Sequence, residues 1–149
     1  MHRHRFMQSR FIGVLIFVIF SGGLGIPAAL GAETTHYTGH YETPASKTDW
    51  SFSLDITQTG SKATVSFSAS MADGSGAAPD GDGEGKVDKA GALRFTFTDS
   101  FGNQGTGILV AGKDGYHLEM NVSKTVEPRA LLFYQDILLV KKADKPSSS

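Results

Sequence analysis

From Tyr37 to Val140, bulky apolar residues alternate with Ser, Thr or charged ones, most plainly in Trp50-Ser51-Phe52-Ser53-Leu54-Asp55-Ile56-Thr57. Successive side chains of a strand point to opposite faces, so this period of two makes one dry face and one wet face. A chain that reads this way for most of its length builds its core from one side of a sheet. The pattern implies an all-β domain.

The first 32 residues read differently. Arg3, Arg5 and Arg10 precede the apolar run Phe11 to Phe20, and a small-residue stretch ends at Ala28-Ala29-Leu30-Gly31-Ala32. A basic start, an apolar run and small residues at the end make a secretory signal, with cleavage after Gly31 or Ala32. The alternative is an uncleaved anchor, against which Gly22, Gly23, Gly25 and Pro27 dilute the second half of the span. No Cys occurs, which excludes a lipoprotein anchor, disulfides and thiolate metal sites. The expected organisation is a leader over 1–32, a β domain over 33–141 and a polar tail over 142–149. The destination is the periplasm or the exterior, with no stable membrane anchor after cleavage.

The whole chain carries a formal charge of −1, and loss of the basic leader makes the remainder more acidic. That argues against a nucleic-acid or anionic-membrane surface, which needs a basic patch.

Turn residues divide the remainder into eight segments of similar length. Strands are expected at about Thr35–Glu42, Asp49–Gln58, Lys62–Ser70, Asp82–Asp88, Ala92–Asp99, Gln104–Ala111, Tyr116–Lys124 and Leu131–Lys141. Compact hairpin signals stand at Thr59-Gly60-Ser61, Lys89-Ala90-Gly91, Phe101-Gly102-Asn103 and Lys113-Asp114-Gly115. Connections this short leave no room for helical crossovers, so the expected topology is a single antiparallel up-and-down meander. Eight such strands can close into a small barrel, which removes exposed edges.

The inward face is heavy with rings. All aromatics after the leader except Phe101 and Tyr134 fall in phase with Leu54, Ile56, Val65, Leu93, Leu118, Met120, Val122, Ile137 and Leu139. Gly83-Glu84-Gly85 and Gly105-Thr106-Gly107 open the fourth and sixth strands, on either side of Phe95 and Phe97. Glycine pairs let a sheet bend while neighbouring aromatics cover the bared backbone. The alternative is that they open a pocket under one wall.

Chemistry is sparsely signalled. Asp80, Asp82 and Glu84 stand at alternate positions before Lys86-Val87-Asp88, as in a calcium loop of the EF-hand kind, but Gly91 occupies the position of the closing carboxylate. His36 and His40 lie four apart, roughly 13 Å along one strand, too far to share a metal. Asp99, Ser100 and His117 supply the letters of a catalytic triad without a nucleophile elbow to position them. No catalytic residue and no cofactor is therefore assigned. The last segment is the exception to the alternation: Leu131 to Tyr134 and Ile137 to Val140 are apolar on both faces. This puts Leu132, Tyr134, Leu138 and Val140 outside, near Ile108 and Val110, where a contiguous apolar patch marks an interface. The alternatives are cover by the chain's own loops or tail, and a packed helix in place of the strand.

Gly39-His40-Tyr41 in the first strand, followed by a meander of hairpins, is similar to the calycin-type barrels, the lipocalins and avidin-like proteins. Those families show Gly-x-Trp near the first strand; here Tyr41 stands at the Trp position, and no basic partner from the last strand is assignable by eye. The resemblance implies binding rather than catalysis. Two expectations follow. The first is an exported, non-catalytic protein acting through a protein–protein surface, of the inhibitor or immunity type, or as a homodimer. The second is a carrier of a small apolar ligand in a lumen lined by Tyr37, Tyr41, Trp50 and Phe97. An enzyme would require Asp99, Ser100 and His117 to converge.

Overall fold

The structure is a computed structural model that describes residues 34–45 and 49–143. It is an all-β fold of eight strands: β1 (Gly39–Glu42), β2 (Trp50–Thr59), β3 (Lys62–Met71), β4 (Asp80–Val87), β5 (Leu93–Asp99), β6 (Gln104–Ala111), β7 (Tyr116–Lys124) and β8 (Ile137–Lys141). Each strand pairs antiparallel with the next, and β1 pairs with β8, so the sheet closes as an up-and-down barrel. The expected leader and the end of the tail lie outside the described residues.

Alternation decides which way each strand faces. On β2, Phe52, Leu54, Ile56 and Gln58 are buried while Ser51, Asp55, Thr57 and Thr59 are exposed. β5 repeats the pattern without a break, and β3 does so from Lys62 to Ala69. The inward set fills the lumen from end to end. Phe52 stacks on Phe67 with centroids 5.3 Å apart, and Phe67 meets Phe97 edge-on at 5.4 Å. Leu54, Leu93, Leu109, Leu118 and Leu139 are wholly buried between the rings. Each such side chain contributes roughly 1.5–3 kcal/mol of burial, which is how the barrel holds without a disulfide. Leu109, in phase on β6, belongs to this core although the sequence reading did not place it there.

The glycine pairs serve the packing. Phe95 lies between Gly85 and Gly107 in register, and Phe97 between Gly83 and Gly105. A Cβ at Gly107 would collide with the Phe95 ring, and one at Gly105 would stand 2.8 Å from the Phe97 ring. Rings therefore occupy the inner space those glycines leave, while on the outer side Gly85 and Gly107 line a surface groove.

Three expectations on strand limits are corrected. The expected eighth strand from Leu131 is broken: residues Pro128–Phe133 form a 3-10 helix, η1, and only Ile137–Lys141 is strand. Pro128 sits in the first turn, where its missing N–H costs nothing, and the Glu127 side chain caps the turn by accepting from the Arg129 amide at 2.9 Å. The Arg129 guanidinium pulls the Glu127 carboxyl down to about 2. The first strand begins at Gly39 rather than Thr35, and the fourth begins at Asp80 rather than Asp82.

Candidate functional site

The barrel has two ends, and each is sealed by a different device. The hairpins β2–β3, β4–β5 and β6–β7 turn at one end, where the segment leading into β1 folds across. There Tyr37 is fully buried, its amide donating to Gln58 Oε1 at 2.8 Å and its hydroxyl to the Gly91 carbonyl. Gln58 Nε2 donates in turn to the carbonyls of Thr35 (3.0 Å) and Gly60 (2.8 Å). Tyr41 donates to the Tyr37 carbonyl at 2.5 Å, and its ring lies 4.8 Å from that of Tyr116. Burial pushes the hydroxyls of Tyr37 and Tyr41 above the usual tyrosine range.

At the other end η1 lies over the lumen, with Ala130 and Phe133 wholly buried. Phe133 meets Trp50 edge-on at 5.9 Å. Ala77 and Pro79, from the long connection between β3 and β4, are buried as well. A polar knot holds this cap. Asp99 Oδ1 accepts from the amides of Phe101 (2.9 Å) and Asn103 (2.8 Å), and Oδ2 from Asn103 Nδ2 (2.7 Å) and the Tyr134 hydroxyl (2.6 Å). Asn103 Oδ1 accepts from the amides of Val126 (2.6 Å) and Glu127 (2.9 Å), the last residues before η1. Burial, and then the bond to Asp99, push the Tyr134 hydroxyl well above its ordinary value.

This geometry corrects the expectation for Tyr134. It is 8% exposed and turns inward, 5.1 Å from Phe97 and 6.0 Å from Phe67. The 3-10 turn is the reason: it abandons the period of two, so Phe133 and Tyr134, adjacent in sequence, both reach the core. Leu132 is exposed on η1, 44% accessible, beside the wall-less end rather than on the barrel wall. Leu138 and Val140 do face outward on β8, both half-buried. Registers set Val110, His117 and Leu138 side by side across β6, β7 and β8. A shallow groove of about 370 Å³ runs there, lined by Ile108, Val110, His117, Glu119, Asp136 and Leu138. Of the four residues expected at an interface, the fold keeps Leu138 and Val140 on one outer wall and separates them from Leu132 and Tyr134.

The four residues expected around a ligand do not surround a common space. Tyr37 and Tyr41 pack at the hairpin end with Tyr116, whereas Trp50 and Phe97 pack at the η1 end. The calcium reading of Asp80, Asp82 and Glu84 is also corrected. They lie on the extended strand β4, all exposed, at roughly 6.6 Å intervals, a geometry that cannot wrap one ion. Among the described residues no cluster of three acid or histidine side chains could hold a metal.

Asp99, Ser100 and His117 do not converge. Asp99 and Ser100 are at the η1 end, and Ser100 bonds the Asp80 backbone; His117 is near the hairpin end, bonded to Asp114 at 2.8 Å. His40 lies on the outer face between Asp55 (2.7 Å) and Glu42 (2.9 Å), which raise its pKa. One contact of the last strand had no sequence signal. Lys141 of β8 is in register with Tyr41, and its Nζ stands 5.6 Å from the centre of that ring. Its side chain crosses the backbone at Gly39, where a Cβ would collide with it.

Comparison of the chain with protein-family models, with curated proteins and with solved structures finds no match.

Proposed function

We propose that the protein is an exported, non-catalytic binding protein that recognises another protein through the outside of its barrel, in the manner of an inhibitor or immunity protein. The observation that supports this reading most is that the lumen is occupied by side chains and both ends are closed. Recognition then falls to the outer wall, where Ile108 and Val110 of β6 and Leu138 and Val140 of β8 stand on either side of His117 and Glu119 of β7. Partly exposed apolar side chains interleaved with polar ones give such a wall both apolar contact and hydrogen-bonding groups for a protein partner. The same arrangement serves association of two copies.

The finer resemblance to lipocalins and avidin-like proteins belongs to this proposal too. It is supported by Gly39-His40-Tyr41 at the start of the barrel and by the cation of the last strand over the ring of Tyr41. Under that reading the alternative is an apolar-ligand carrier, which requires the aromatic core to part.

Two measurements separate the readings. The protein-recognition reading expects chemical crosslinking in the native extract to yield a discrete adduct that Val110→Glu/Leu138→Glu abolishes while the circular dichroism spectrum is unchanged. A carrier instead gives a saturable change in Trp50 emission on titration with a fatty acid, insensitive to that double substitution. That second outcome overturns the proposal.

A further inference from the structure

The outer wall over β3, β4 and β5 carries a row of like charges. Register sets Lys62 opposite Lys86, and Lys86 opposite Arg94. Three exposed cations thus stand abreast on adjacent strands, roughly 10 Å from first to last, or two inter-strand spacings. Like charges directly opposite one another work against a sheet, whereas opposite charges support it. The fold uses the favourable arrangement elsewhere: His40 faces Asp55 across β1 and β2. In this row the compensation is partial. Asp88 accepts from Arg94 Nε at 2.7 Å, while Lys62 and Lys86 form no ion pair among the described residues. Glu84, one step further along β4, is exposed and pairs with neither.

The row lies in a groove of about 990 Å³ on the molecule's outer face. Its remaining lining includes Thr57, Thr59, Thr64, Thr96 and Thr106, one carboxylate, Glu84, and one half-buried apolar side chain, Ile108. The chain as a whole is slightly acidic, so the row is a local feature and not part of a generally basic surface.

We infer that this groove binds an acidic polysaccharide, whose carboxylate or sulfate groups sit on Lys62, Lys86 and Arg94 and whose hydroxyls bond the flanking threonines. A row of cations stepping at the strand spacing suits a polymer with repeated charges, since a single small anion can neutralise only part of it. Phe95 is the one aromatic residue along the groove and is only 3% exposed, so it offers little ring face for a nucleobase to stack on. A closed barrel has no free edge for an added peptide strand. The groove adjoins the apolar residues of β6 at Ile108, but its cations stand on β3, β4 and β5, and the inference does not rest on the protein-recognition reading.

The test is titration of the purified protein with heparin and with polygalacturonate at low ionic strength and at about 0.5 M salt, where charge attraction is screened within a few ångströms. The wild type is expected to bind at least one polymer, and which one it prefers tells sulfate from carboxylate. Salt and the Lys62→Gln/Lys86→Gln double variant should each weaken binding by about tenfold or more. Lys113→Gln, on the exposed turn between β6 and β7, should leave it unchanged. The double variant should also melt at the same temperature as the wild type or slightly above it, because it relieves repulsion. Failure of the wild type to bind either polymer at low salt overturns the inference. So does binding that ignores the double variant, or a single-stranded oligonucleotide that competes equally well.

Discussion

The two ends of this barrel are closed by different chemistry, although they cap the same core. At the hairpin end the plug is the lead-in to β1: Tyr37 and Tyr41 continue the strand phase inward, and Gln58 ties the backbone together. At the other end the plug is an insertion, η1, tied down by Asp99 and Asn103. The tyrosine plug is mostly rings with neutral hydrogen bonds. The η1 plug rests on a carboxylate that accepts four hydrogen bonds in a nearly dry site. Hydrogen bonds to charged groups are stronger than neutral ones, and an orphaned buried charge is far more costly than an orphaned amide. The η1 end therefore depends more steeply on single residues.

That difference sets the order of the expected effects. Asn103→Ala strips partners from Asp99 and from the amides of Val126 and Glu127, and should destabilise the protein by about 3–5 kcal/mol in urea unfolding. Gln58→Ala, at the opposite end, should cost about 1–3 kcal/mol by the same measurement, since only neutral groups lose partners. Equal losses would remove the distinction between the ends.

Between the ends, Gly107→Ala drives a methyl into the Phe95 ring. Overpacking of this kind costs about 1–3 kcal/mol, and a second substitution, Phe95→Leu, should recover part of it. Simple additivity in a double-mutant cycle would show that the ring and the glycine are not coupled.

The tyrosines offer a comparison by pH. Tyr37, Tyr41 and Tyr134 have folded-state pKa values raised above 10.0, chiefly by burial. A raised value means that this stability is fully present below pH 10 and is lost as the pH climbs above it, because only the unfolded chain ionises freely. Alkaline unfolding should therefore be steep in the wild type and shallower in both Tyr134→Phe and Tyr41→Phe. At neutral pH, Tyr134→Phe should cost about 1–2 kcal/mol, more than Tyr41→Phe, because its hydroxyl serves a carboxylate rather than a carbonyl. Chemical denaturation at pH 7 and pH 11 measures both.

The smallest effect belongs to His40 on the outer face of β1. Its pKa is raised first by the bond to Glu42 and then by that to Asp55. The contribution is present below about pH 6.5, the ordinary histidine value, and lost as the pH rises through the folded value. With the ring partly exposed, solvent screening keeps it below about 1 kcal/mol. The melting temperatures of wild type and His40→Gln should differ slightly at pH 5 and converge at pH 8.5.

Much of the barrel was legible before any coordinates. Periods of two along β2, β3 and β5 orient every side chain of those strands, and the cover of glycines by Phe95 and Phe97 follows from strand order alone. Tyr134 was not legible, because an apolar run that changes from helical turn to strand has no single period to read. The cap on η1 was hidden for a related reason. Asp99 and Asn103 look like turn residues, and they are; their second role depends on Val126, Glu127 and Tyr134 arriving from beyond β7.

Local pattern thus determined the strands, their faces and the meander, because alternation acts between near neighbours and hairpin turns act over a few residues. Closure of β1 on β8, the placing of Lys141 over Tyr41, the sealing of both ends and the abreast cations of the outer groove were decided by tertiary structure. Each depends on register between segments far apart in the chain, and a linear sequence carries register only through the packing that selects it.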